Sequence, residues 1–560
     1  MSVRHQTVKG RIDPITVEVI GNAIASIADE MGETLIRAAY STNIKERRDC
    51  STVIFDASGR TLYQAEHIPI HLGSLMGVVE TIMERHGVAT IAEGDMFIGN
   101  DAYNGGGTHL PDFVLASPIF FAGELVGWAT NLAHHADFVD RGHAHIFQEG
   151  LRIPPIRLQR AGETQQDVLD LILLNCQVPD ERRADIRAQI AANRFGVQRF
   201  QALCERYGVA LLNKVFDELL DYAERRMRAG ITAIPDGVYE FEDLFECDEL
   251  EETLAFRIKV TVSGDEIELD FRNNPPQVRA GLNMVETALL ATVYYAVKTV
   301  TDPEAPPNAG LFRPIKVTAE PGSILNAVSP AAVNGRTNTC QRVVDLVHGA
   351  LAQAVPERII AACNGAVIAA TFSGVNPRTG KFYVYLETLG GGFGARATKD
   401  GLDGVQVHIT NTSNLPIESL EPEYPLQVER YELVCDSGGP GQWRGGMALR
   451  RQIKVLEHDC RINVRGTRKT TAPWGLFGGH EGGRYAVENS PGAAPLQMSV
   501  GQLSHGQSVS IVTPGAGGYG PPRDRDLDFI VRDLREDRIT AQAGTDIYGL
   551  EPSQLDKRED

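Results

Sequence analysis

Apolar residues recur at Ile20, Ile24, Ile27, Met31 and Leu35, three and four positions apart, and this spacing predicts a helix with one buried face. Asp13-Pro14 starts it with a capping carboxylate and a proline in the first turn. Residues 51–55 form an apolar, β-rich run closed by Ala57-Ser58-Gly59-Arg60, which predicts a strand and its turn. Further strands are expected at 114–121 and 128–133. Helical periodicity returns over 180–228, where leucines, valine and phenylalanine are spaced among many charges, and Pro235-Asp236-Gly237 ends it. Strands are expected at 238–246, 254–262 and 267–271, the last two joined as a hairpin by Ser263-Gly264-Asp265-Glu266. Two helices follow, at 284–299 and 341–354. Beyond about residue 429 the texture is β-rich and glycine-rich, with strands expected at 449–456, 460–465 and 508–513. The charged last forty residues are expected to be peripheral.

These transitions predict a multidomain α/β protein of the mixed α+β kind, with a large β-rich, Gly-rich C-terminal part. Its expected divisions are 1–235, 236–428 and 429–560. A chain of 560 residues with 42% hydrophobic and 23% charged residues has ordinary globular composition. A net charge of −19 without a basic patch repels a phosphate backbone, so nucleic acid is not an expected partner. The polar N-terminus has no apolar leader core, and no apolar stretch is long enough to span a bilayer. A cytoplasmic protein with no membrane partner is expected. The eight cysteines are scattered, with no C-x-x-C pair, and are expected to be free thiols.

Histidine changes the picture. Eight of the 14 histidines (67, 71, 86, 109, 134, 135, 143, 145) fall within 79 residues. The loop Asn104-Gly105-Gly106-Gly107-Thr108-His109-Leu110-Pro111-Asp112 can aim an imidazole and a carboxylate at one point, because three glycines permit a tight turn. His134 at a strand end could add an imidazole, and Asp49 a second carboxylate. Such a set suits zinc, manganese or iron with open positions for water, although polar loop histidines without a metal satisfy the same spacing. His67 and His71 flank a proline and are expected to line a loop near this site.

Other chemistries fail on spacing. The nearest approach to a phosphate loop, Gly374 to Gly380-Lys381-Phe382, has one residue too many and a phenylalanine at the magnesium-binding hydroxyl position. No G-x-S-x-G elbow occurs. Cys50 beside Asp49 has no base assigned to it by sequence. The glycine clusters around 390–394, 437–441, 478–479 and 515–520 are expected to be turns and close backbone approaches.

The ordered set Ile44-Lys45-Glu46-Arg47-Arg48-Asp49-Cys50-Ser51, Asn100-Asp101-Ala102-Tyr103, Gly105 to Asp112, Ala133-His134-His135-Ala136-Asp137, Gln148-Glu149-Gly150-Leu151-Arg152 and Glu387-Thr388-Leu389-Gly390-Gly391-Gly392 resembles the hydantoinase B/oxoprolinase family. Asn411-Thr412, Tyr424-Pro425, Asp436-Ser437-Gly438-Gly439 and Arg444-Gly445-Gly446 extend the likeness over about 13–522. The resemblance implies one divalent metal, Zn²⁺ or Mn²⁺, on Asp49, His109, Asp112 and His134, with Glu66, His67 or His135 moving protons or orienting ligands. It implies an A-type ATP-binding partner subunit that phosphorylates a small cyclic amide, so that ATP is used by the partner, in a heterotetramer. The expected activity is ring opening of a hydantoin, 5-oxoproline or lactam. The alternatives are a carboxylase component of acetone or acetophenone carboxylase type, and a metal-free scaffold for the A-type partner. Where many relatives carry Gly-Gly and then Pro-Gly-Ser, this chain has Phe138-Val139-Asp140-Arg141-Gly142-His143-Ala144-His145. Bulkier side chains there should reshape the pocket beside the metal and bear on the substrate.

Overall fold

The computed structural model describes residues 12–65, 68–138, 144–490 and 500–551. Its architecture is mixed α+β, with four sheets among the described residues. The first is seven-stranded and antiparallel, in the spatial order Thr61–Gln64, Cys50–Asp56, Glu124–His134, Asp112–Phe121, Met96–Gly99, Ile156–Arg160, Glu163–Thr164. Its two long central strands form a hairpin through Ala122 and Gly123, both at positive φ (53° and 83°), the pair of conformations that a two-residue turn between right-twisted strands requires. The helix Pro14–Ala38 begins as the sequence predicts: the Asp13 side chain accepts from the Thr16 N–H, and Ile20, Ile24, Ile27, Met31 and Leu35 are buried. It packs with Pro179–Tyr207 against one face of this sheet. The long helical run breaks at Gly208, with φ of 75°, so Val209–Thr232 leaves in a new direction.

The second sheet has the order Ile315–Thr318, Glu266–Asp270, Leu254–Ser263, Gly237–Phe245, with its first pair parallel. Helices Glu286–Thr301 and Arg336–Leu351 pair with each other, and the latter lies on the sheet. All but one residue of Arg336–Leu351 is buried, polar ones included. Hydropathy alone predicts this helix from 341, because its first turns are Arg336, Asn338, Thr339 and Gln341. Tertiary burial, rather than an apolar stripe, holds them helical.

The third and fourth sheets have the orders Phe382–Leu389, Ile368–Val375, Cys460–Arg465, Val500–Leu503 and Leu426–Leu433, Leu449–Val455, Ser508–Val512, Ala486–Asn489. They share one core that includes Phe372, Ile462, Ile453 and Ile511. Strands 368–375 and 382–389, which precede residue 429, therefore pair with strands that follow it. The hairpin between them carries Gly380 and Lys381, a strand–turn–strand where a phosphate loop needs a strand–loop–helix. The glycine clusters pack backbone against backbone: a Cβ on Gly392 would lie 2.1 Å from the Gly446 carbonyl oxygen, and one on Gly445 2.0 Å from that of Ala516. The C-terminal region is less peripheral than its charge predicts, since Arg525 and Asp533 are buried in an ion-pair network with Asp400 and Arg444. The eight cysteines are free thiols.

Between the two faces of the sandwich, Arg451 donates twice to Glu387, at 3.0 Å each, with both side chains buried. Glu387→Ala should lower the unfolding free energy by about 3–5 kcal/mol, because a buried guanidinium then loses its counter-charge. The Glu387→Leu/Arg451→Met pair should recover most of that loss in the same denaturant titration.

Candidate metal centre

The hairpin register creates the site. Asp112 and His134 are cross-strand partners at the open end of the central hairpin, and Cys50 pairs with Ala133 on the next strand. The His134 N–H donates to the Asp49 carbonyl at 3.0 Å, so Asp49, His134 and Asp112 stand in a row across three adjacent strand ends. His109 joins them from the preceding loop. That loop is pinned by Asn100, whose Nδ2 donates to the carbonyls of Leu110 (2.8 Å) and Leu151 (2.9 Å) and whose Oδ1 accepts from the Ile153 N–H. Gly106 is required there, since a Cβ would lie 2.3 Å from the Asp101 nitrogen.

Ligand atoms of His109, Asp112 and His134 lie within 4.8 Å of one another, and all three residues are buried. Asp49 lines the same cleft, with Oδ2 4.0 Å from His134 Nδ1. Four residues expected to be ligands are thus brought to one cleft, three of them in the tight cluster. Glu66 and His67 lie outside the described residues, as do residues 139–143 of the stretch 138–145 expected to reshape the pocket. His135 does not line the cleft. Neighbours on a strand point to opposite faces, and His135 is stacked on Phe113 (centroids 4.4 Å apart) with Nε2 3.1 Å from Gln189 Oε1. His71 does line the cleft, buried, with Nδ1 2.8 Å from Ser51 Oγ.

Hydrogen-bond partners decide where the protons are. His109 Nδ1 faces the Asn334 carbonyl oxygen at 3.2 Å and therefore donates to it. In the neutral ring that leaves the Nε2 lone pair 3.0 Å from Asp112 Oδ1. Asn43 Oδ1 accepts from Arg47 Nη1 at 2.6 Å, so its Nδ2 donates, to the His134 carbonyl at 2.8 Å, and faces His134 Nδ1 at 3.1 Å. His134 Nδ1 therefore also carries a lone pair. Burial, with Arg336 adding to it, pushes the His109 imidazole below its usual pKa, and burial pushes His134 well below. Burial alone would raise Asp112, but a protonated His109, and Arg336 in either state of that ring, outweigh it and hold the carboxylate below its usual range. Arg336 Nη2 donates to Asp112 Oδ2 at 3.2 Å, and its Nε to Thr108 Oγ1. The His109 Nε2 lone pair and the ionised Asp112 carboxylate, 3.0 Å apart without a proton between them, repel, and a second buried imidazole, His134, stands within 4.8 Å. A divalent cation removes that repulsion, so the residues present fit one.

The cleft holds about 790 Å³ of empty space including its mouth. The ligand cluster forms one side. The start of helix Arg336–Leu351 and the strands 368–375, 382–389 and 460–465 form the others. Asn334, Arg336, Asn463 and Arg465 were not singled out by sequence. Their only signal there is polarity in segments that otherwise read as helix lead-in and strand.

The chain matches the hydantoinase B/oxoprolinase family over residues 13–522 and belongs to it. Among its relatives is the B-type component of a putative D-/L-hydantoinase from Pseudomonas sp. (strain NS671), 32% identical over 583 aligned positions that cover 98% of this chain and 97% of that one. The beta component of caprolactamase from Pseudomonas jessenii is 32% identical over 96% of each chain. The crystal structure of ATP-dependent caprolactamase from that organism superposes with a TM-score of 0.90 at 29% identity, over 98% of this chain and 100% of that one. Nucleotide-free acetone carboxylase shares the fold, with a TM-score of 0.89 at 18% identity over 98% of this chain and 82% of that one. Among the described residues no helix is long and apolar enough to cross a membrane.

Buried neutral histidines make stability depend on pH. Burial lowers His71 and His135 to about 4 and His348 to about 3, against about 6.5 in an unfolded chain. Their contribution is complete above pH 6.5 and is lost as pH falls toward 4, because the unfolded state takes up protons first. Glu149, raised by burial to about 7, slopes the other way, as do Asp49, Glu80, Glu181 and Glu423, which burial also raises. His109 and His134, lowered by burial, add to the three histidines. The metal-stripped chain should therefore lose unfolding free energy steadily from pH 6.5 to about 4, as read by urea titrations across that range.

Proposed function

We propose that this chain is the B-type component of an ATP-dependent cyclic-amide hydrolase. It acts on a hydantoin, 5-oxoproline or lactam ring that an A-type partner has phosphorylated on its carbonyl oxygen. The observation that carries the reading is the meeting of His109, Asp112 and His134 within 4.8 Å, beside Asp49, in a cleft open to a small ring. Family membership and the names of the hydantoinase and caprolactamase relatives support the substrate class and the need for a partner.

A divalent ion held by Asp49, His109, Asp112 and His134, zinc or manganese, would supply a Lewis acid that makes water nucleophilic near neutral pH. The chain's own residues prepare the ground. Arg336 keeps Asp112 ionised, the Asn334 carbonyl fixes the His109 tautomer, and Asn43 holds a lone pair on His134 Nδ1. Proton transfer falls to Glu66 and His67, and the neutral imidazole of His71 lines the cleft. His135, turned toward Phe113 and Gln189, serves as packing behind the ligand strand. The energetic logic of ATP is a leaving group. An unstrained amide carbon expels oxide or ring nitrogen poorly, and phosphate leaves readily. One lactam, ATP and two waters give the ring-opened amino acid, ADP and phosphate.

Purified protein should carry about one divalent ion per chain by elemental analysis. His109→Ala should lose metal and turnover together while its melting temperature stays close to wild type, because the loop ligand carries little of the core. Turnover should need an A-type partner, with no steady ADP release by this chain alone. Full activity after chelation, or ATP hydrolysis by the isolated chain, would refute the reading. Labelled bicarbonate appearing in product from a ketone would replace it with carboxylation.

A further inference from the structure

The cleft has a second pole, of positive sign. Asn334, Gly335, Arg336, Thr337 and Asn338, at the N-terminus of the 16-residue helix Arg336–Leu351, line it, and no side chain caps this end. Arg465 meets the helix there: a Cβ on Gly335 would lie 2.7 Å from Arg465 Nη1. Arg465 is 6% exposed and lines the cleft; its Nε donates to Glu249 Oε1 at 2.5 Å, and its Nη2 has no hydrogen-bond partner. A guanidinium against the positive end of a helix is unfavourable by itself, and an anion between the two relieves both. Glu149 accepts from the Val333 and Asn334 N–H groups just before the helix, at 2.8 and 2.7 Å. It thus occupies that preceding turn rather than the cleft-facing first turn.

The two poles adjoin. Arg336 belongs to the first helical turn, yet its Nη2 reaches Asp112, and the carbonyl of Asn334 holds His109. A group seated at the helix end therefore lies next to the ligand cluster.

We propose that this end of the cleft is a phosphoryl-binding subsite, in which the Thr337 N–H and Arg465 Nη2 take the phosphate oxygens. The Arg336 and Asn338 N–H groups are held by the Val333 and Gly335 carbonyls. The carbon that bears the phosphate then faces His109, Asp112 and His134. The identity of the phosphate's carrier rests on the hydrolase reading; the anion site does not.

Inorganic phosphate is the probe, titrated calorimetrically into the purified chain with and without its metal. Saturable binding at one site is expected in both forms. Arg465→Met should weaken it at least tenfold with unchanged metal content. Arg465→Lys keeps the charge without the planar fork and guards against misfolding; it too should weaken binding measurably. No saturable binding, or equal affinity in wild type and both variants, overturns the subsite. Lactam turnover by the co-expressed complex without phosphate binding sinks the subsite and spares the hydrolase. Arg465-dependent phosphate binding in a complex that opens no ring does the reverse.

Discussion

The buried guanidinium of Arg47 is the interaction on which the site depends. It donates to Asn43 Oδ1, to the Leu386 carbonyl at 2.8 Å and to Thr388 Oγ1 at 2.8 Å. The last two belong to a strand of the sandwich, some 340 residues further along the chain, so one side chain fastens the N-terminal layer to the C-terminal one. The first bond has a different consequence. By filling Asn43 Oδ1 it forces the amide nitrogen toward His134 and so dictates where that imidazole keeps its lone pair. Placing a charge this deep costs several kcal/mol unless its hydrogen bonds are made. The chain therefore holds its two halves together, and the His134 imidazole in one tautomer, with the same bonds.

Much of this was legible in the sequence where local patterns decide. The helix at Pro14, the strand at Cys460–Arg465 and the hairpin after Ser263 follow from caps, periodicity and turn residues that act within a few positions. The loop with His109 and Asp112 is legible for the same reason, since three glycines and a proline leave the backbone few courses. Register is another matter. Asp112 opposite His134 depends on an Ala-Gly turn, which is weaker than Asn-Gly as a signal, and on a bulge between Ile119 and Phe120. Without that register, His134 and His135 are equally good candidates by sequence, and only strand alternation separates them.

The least legible part is the wall facing His109, Asp112 and His134. Arg336, Asn338 and Gln341 are polar, buried and helical, and Arg465 ends a strand whose other partners lie near 370 and 500. Hydropathy reads such residues as loop or surface, because it assumes that polarity seeks water. In a cleft lined by buried charged and polar side chains the assumption fails.

The hairpin between Asp112 and His134 also constrains how this family can vary. Extra residues at the Ala122–Gly123 tip lengthen a surface loop and leave pairing at the far end untouched. One residue lost within Glu124–His134 reverses every side chain beyond it, carrying His134 to the Gln189 face and bringing His135 into its place. One lost within Asp112–Phe121 turns Asp112 away in the same manner. Sequence can drift widely along these strands, but parity cannot. Homologues should therefore differ in spelling while keeping the same count.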